Sequence, residues 1–110
     1  MQIWYRVKDL DRAERFYVDI LRFEELYRDE KDRWMRLGRD GVEVHIAESD
    51  VAKPDTDTAL AIEVDDVKAE AARLREAGVN VGVVLEIPGA IRILDVFDPD
   101  GNRIQLTQDV

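Results

Sequence analysis

The same strand–helix opening is used twice, half a chain apart, and this repeat limits the folds open to the sequence. Ile3, Tyr5 and Val7 alternate with Gln2, Trp4 and Arg6, the period-2 pattern of a half-buried strand. Leu60, Ile62 and Val64 alternate in the same way with Ala59, Ala61 and Glu63. After each strand the period lengthens. Ala13, Phe16, Tyr17, Ile20 and Leu21 trace one face of an amphipathic helix, as do Val67, Ala71, Leu74 and Ala77. Asp9 and Asp11 stand where carboxylates accept from the free N–H groups of a helix start, and Asp11 with Glu14 is spaced as a capping box. Asp66 opens the second helix and Gly78 closes it. Val7-Lys8-Asp9-Leu10 matches Val64-Asp65-Asp66-Val67, and Asp40-Gly41 matches Asp100-Gly101. One supersecondary unit used twice accounts for these matches.

Three strands are expected behind each helix. In the first half they fall at 24–28, 33–37 and 42–47, turned by Lys31-Asp32 and Asp40-Gly41. In the second half they fall at 79–85, 91–97 and 103–107, turned by Pro88-Gly89 and by Asp98-Pro99-Asp100-Gly101-Asn102. Gly38, Gly41, Gly78 and Gly82 read as turn and cap glycines. Residues 49–58 are polar, contain Pro54 and have no period, so they read as a linker. The expectation is an α+β fold of two βαβββ modules, 1–48 and 59–110, in one domain.

Charge narrows the candidate partners. The chain carries a formal net charge of −9, which repels phosphate backbones and anionic lipid. It has no cysteine, which removes disulfides, thiolate nucleophiles and thiolate metal sites. No apolar run approaches the roughly 20 residues that span a bilayer, and the N-terminus lacks a signal peptide's apolar stretch. A cytoplasmic protein is expected.

Val7-Lys8-Asp9-Leu10-Asp11-Arg12-Ala13, leading into Phe16-Tyr17 and Leu21-Arg22-Phe23, resembles the opening signature of the vicinal-oxygen-chelate superfamily. This group includes glyoxalases, bleomycin-resistance proteins and extradiol dioxygenases. Phe97-Asp98-Pro99-Asp100-Gly101-Asn102, followed by Ile104-Gln105-Leu106, resembles its closing signature. The resemblance covers nearly the whole chain. It implies curled mixed sheets forming a cup, a small-molecule site in that cup, and a homodimer. One departure is Arg22, where the family usually has glycine; a left-handed backbone there would cost on the order of 1–2 kcal/mol.

Strand parity supplies a cup lining. With the apolar positions turned to the helices, Gln2, Trp4 and Arg6 face inward, with Glu43, His45 and Ala47, then Ala59, Ala61 and Glu63, then Arg103, Gln105 and Thr107. Trp34, Arg36 and Arg92 are further candidates. Aromatic walls with guanidinium groups suit a planar or anionic organic ligand. Pairing of these arginines with Glu43, Glu63 and nearby aspartates is the ordinary alternative.

The resemblance also implies four metal-ligand positions, which fall on Gln2, Glu43, Ala59 and Gln105. One carboxylate, two amides and an alanine make a weak set for a divalent ion. Two functional readings follow. In the first, Trp4, Arg6, Trp34, Glu43, His45, Glu63, Arg92, Arg103 and Gln105 bind a small molecule without a metal or other cofactor, as in the bleomycin-resistance branch. In the second, His45 joins Gln2, Glu43 and Gln105 around one divalent metal, and the protein is a lyase, isomerase, dioxygenase or thiol transferase. Glu43 and Glu63 as an acid/base pair would lack the electrostatic help of a metal in the first reading.

Overall fold

A computed structural model describes residues 3–57 and 59–110. It is an α+β molecule with two mixed sheets and extents of 47 × 26 × 24 Å. The first sheet contains β1 (Trp4–Val7), β2 (Glu24–Asp29), β3 (Trp34–Arg39) and β4 (Val42–Glu48), in the order β1-β4-β3-β2. The second contains β5 (Leu60–Glu63), β6 (Asn80–Val81), β7 (Leu85–Ile87), β8 (Ile91–Phe97) and β9 (Arg103–Asp109), in the order β5-β9-β8-β6, with β7 also on β8. In each sheet the opening strand pairs in parallel with the closing one, β1 with β4 and β5 with β9.

Alternation decides which face is buried. Tyr5, Val7, Val44, Ile46, Leu60, Ile62, Leu94, Val96, Ile104 and Leu106 all lie in one continuous core beneath the helices. Each large apolar side chain placed there contributes about 1.5–3 kcal/mol. Helix α1 (Leu10–Glu14) starts at Asp9, whose Oδ1 accepts from the Asp11 and Arg12 N–H groups. Glu14 does not complete a capping box; it pairs with Arg28 instead. Beyond α1 the regular α-helix expected to run to Leu21 widens into a π-helical stretch, Arg15–Ile20. The wider turn buries Phe16 and Tyr17 side by side. Helix α2 (Val67–Glu76) starts at Asp66, which accepts from the Ala69 N–H, and buries Val67, Ala71 and Leu74.

Three local expectations are corrected. Residues 79–85 are not one strand: the chain pairs at Asn80–Val81, leaves the ladder after Gly82, and pairs again at Leu85–Ile87 as a hairpin across Pro88-Gly89. Gly38 is neither a turn nor a cap. It lies within β3, where an added Cβ would stand 2.8 Å from Leu26 Cδ1, so it is small to seat that side chain. Gly82 likewise has no left-handed backbone, and its N–H bonds to Asp95 O at 2.8 Å. Arg22 does adopt the left-handed conformation, with φ 62°, so the strain inferred from its side chain is present.

The turn between β8 and β9 ties the halves together. Asp98, 4% exposed, accepts at Oδ1 from the Asp100 and Asn102 N–H groups, both at 2.9 Å. Its Oδ2 accepts from Tyr17 Oη at 2.8 Å and Asn102 Nδ2 at 2.9 Å. Asn102 Nδ2 also donates to Arg6 O, and its Oδ1 accepts from the Asp55 N–H. Tyr5 adds a second tie, donating to Arg103 O and accepting from the Leu60 N–H. Burial, and then the charge of Asp98, push the Tyr17 phenol well above its ordinary range, so the proton stays on the tyrosine and is donated. Burial also raises Asp98, against the opposing pull of its hydrogen bonds from Asn102 and Tyr17.

Tyr17→Phe is expected to lower stability by about 1–3 kcal/mol, because it removes a donor from a buried carboxylate. Urea unfolding measures this. A loss below about 0.5 kcal/mol would show that the hydroxyl is not what secures Asp98.

Candidate functional site

Two cross-strand rows on the open face of the first sheet bring together many of the sequence candidates. In one row Tyr27, Arg36, His45 and Trp4 are successive Cα partners across β2, β3, β4 and β1. In the next row Asp29, Trp34, Ala47 and Arg6 are partners in the same way. Directly opposed residues share a face, so the two rows make one surface. Ala47, the small member, separates the bulk of Trp34 from Arg6.

The rings are in contact. Trp4 stacks on His45 with centroids 4.3 Å apart and planes at 21°. Trp34 lies 5.7 Å from Trp4, 5.2 Å from Tyr27 and 6.2 Å from His45. Trp4 and Tyr27 remain 46% and 49% exposed, while His45 beneath is only 7% exposed. The surface is therefore an open aromatic floor over a buried imidazole. Two buried nitrogens in it, His45 Nδ1 and Arg36 Nε, have no hydrogen-bond partner.

Sequence reasoning missed Tyr27. The ladder between β2 and β3 shifts register between Glu25 and Tyr27, and this irregularity breaks the parity that would have marked the residue. The aromatic ring of Tyr27, on a strand expected beside the one carrying Trp34, was the available signal.

The remaining candidates divide. Arg103 and Gln105 lie on β9, in register with Phe97 and Asp95 of β8. Gln105 Nε2 donates to Asp95 Oδ1 at 3.1 Å, and Arg103 Nε is buried without a partner. Glu63 lines a cavity of about 500 Å³ with Ala61, Thr107, Asp40 and Val42. Glu43 lines a smaller hollow with Leu26 and Gly38, so the two glutamates are not a pair in one cavity. Arg92 is on the wrong face for the cup. It shares parity with buried Leu94 and Val96, and it pairs with Glu86. The hydrogen bond from Arg92 also draws the Glu86 carboxyl below its ordinary value.

Among the described residues Arg6, Arg36 and Arg103 have no carboxylate within ion-pair distance, in contrast to Arg28 and Arg33 on the helical side. Of the four positions implied for a metal, Gln2 lies outside the described residues. Ala59 has no ligating atom, and Gln105 offers only its neutral amide oxygen, its Nε2 being given to Asp95. Among the described residues no three His, Asp or Glu side chains converge as a metal-holding group.

This geometry agrees with what similarity finds. The family model described as the glyoxalase/bleomycin resistance protein/dioxygenase superfamily matches residues 2–106. The chain belongs to that superfamily. Among curated proteins none matches. Among solved structures, TnmS3, titled an antibiotic binding protein from Streptomyces sp. CB03234, is 29% identical, with a TM-score of 0.75 over 100% of this chain and 96% of that one. A superfamily member from Sphaerobacter thermophilus is 25% identical, with a TM-score of 0.77 over 99% and 97%. The genomically encoded fosfomycin resistance protein FosX from Listeria monocytogenes is 22% identical, with a TM-score of 0.84 over 100% and 92%, a likeness of fold.

Proposed function

We propose that this protein binds and sequesters a planar organic anion on the aromatic face of the first sheet, and does so without a metal. The observation that carries this is one cross-strand row, Tyr27–Arg36–His45–Trp4, in which two half-exposed rings flank a guanidinium lacking a carboxylate partner among the described residues. A flat ligand stacked there would bury aromatic area, and its anionic edge would meet Arg36. The likeness to an antibiotic-binding protein supports binding as the activity. The donor chemistry argues against a resident ion, since Ala59 offers nothing and Gln105 supplies only a neutral amide oxygen.

Calorimetry with 2-naphthoate, and with 2-naphthol as the neutral control, tests the reading. Trp4→Ala is expected to weaken naphthoate by about 1 kcal/mol or more. Affinity unchanged in Trp4→Ala, or equal affinity for the neutral control, would remove this face from the site.

A second reading rests on the unpartnered His45 Nδ1. If that nitrogen joins Glu43 in holding a divalent ion, the protein is a metal-dependent lyase, isomerase, dioxygenase or thiol transferase. Metal analysis of protein purified without chelator separates the two. The binding reading expects no stoichiometric metal. A stoichiometric ion that disappears in both His45→Ala and Glu43→Gln would establish the second and overturn the first.

The protein is further proposed to act as a homodimer. Leu85 and Ile87 are 58% and 52% exposed, on the face of the second sheet that they share with Ile91 and Ile93. A contiguous apolar surface of this kind is commonly covered by a partner. Sedimentation equilibrium should give twice the chain mass, reduced to the monomer in Leu85→Asp. A monomeric wild-type protein at calorimetric concentration would contradict this.

A further inference from the structure

We propose a second binding site, on the helical side of the molecule and independent of the aromatic face, that takes a free amphipathic monocarboxylate. A cavity of about 500 Å³ opens where the Arg12–Ile20 segment, the end of α2 and the turn before β9 meet. This volume is in the range of small-molecule pockets. Phe16, Ile20, Val79 and Phe97 supply its apolar wall, and Arg12 and Arg15 are its cationic groups.

Two guanidinium groups and one carboxylate line the cavity, on a chain in which carboxylates otherwise outnumber cations. Its one lining carboxylate, Asp98, already accepts four hydrogen bonds from protein groups. Arg12 spends one terminal nitrogen on Asp100, at 3.2 Å, and its Nε is buried without a partner. Arg15 has no ion pair or side-chain hydrogen bond among the described residues. On a protein of net charge −9, Arg15 is thus a cation with no carboxylate partner among the described residues, at the edge of an apolar hollow. Arg15 and Phe16 both belong to the π-helical stretch, whose wider turn sets the guanidinium at the mouth and the ring in the wall. An apolar tail with a single anionic head satisfies both parts. A membrane surface does not fit, because the acidic remainder of the molecule repels anionic lipid.

The test is an NMR titration of the full chain with sodium octanoate, using 1-octanol as the neutral probe. Octanoate should produce saturable amide shifts at Arg15, Phe16, Ile20 and Gly78, with the indole N–H signals of Trp4 and Trp34 unmoved. Arg15→Gln, at an exposed and unpaired position, should keep the fold and weaken octanoate about tenfold, the scale of a charged hydrogen bond. Octanol should bind wild type more weakly than octanoate by a similar factor. Shifts centred on the tryptophans, equal binding of octanol and octanoate, undiminished binding by Arg15→Gln, or no saturable shift would each overturn the proposal.

Discussion

The buried carboxylate of Asp98 is the constraint on which the arrangement of this molecule depends. An ionised group at that depth is costly unless its lone pairs are satisfied, and four donors meet them. Two of those donors close the β8–β9 turn, and one comes from Tyr17 in the other half of the chain. The turn cannot form locally without fixing where the first helical segment lies. Asn102 extends the hold by donating to Arg6 O, at the middle of β1. The strand that carries Trp4 and Arg6 is thus positioned by a turn nearly a hundred residues away.

The arginines fall into two groups, those set among carboxylates and those with no carboxylate partner among the described residues. On the helical side Arg28 is surrounded by Asp11, Glu14, Glu25 and Glu30, and Arg33 reaches Glu30 and Glu48. Glu48 also accepts from the Leu10 N–H at the start of α1, and Arg33 foremost, then Leu10, holds its carboxyl below the ordinary value. These are the ordinary pairs of a charged surface, each of small worth in water. On the open faces Arg6, Arg36 and Arg103 stand beside rings, amides and alanine instead. In a chain with an excess of carboxylates, these three guanidinium groups have no carboxylate partner among the described residues, and the proposed binding of an organic anion rests on that.

Legibility in the sequence followed the strength of the period-2 signal. In β1 and β4 only one face is apolar, so Trp4, Arg6 and His45 were assigned to the open face correctly. In β8 both faces are apolar, with Leu94 and Val96 in the core and Ile91 and Ile93 opposite them. Parity there carries no information, and Arg92 was placed on the wrong side. Tyr27 was lost to the irregularity in β2, and the π-helical widening left no trace because its apolar spacing still resembles that of an α-helix.

The sequence by itself determined the repeat, the buried face of most strands, the two aspartate-capped helix starts and the absence of a donor at Ala59. These are local matters, decided by alternation, by capping chemistry and by the identity of one side chain. Only the tertiary structure decided that Tyr27, Arg36, His45 and Trp4 form one row, because that depends on register among four neighbouring strands whose order in the sheet is not their order in the sequence. It also decided that Tyr17 is the partner of Asp98. No spacing rule links residues so far apart; burial does, because a carboxylate removed from water must find its donors within the fold.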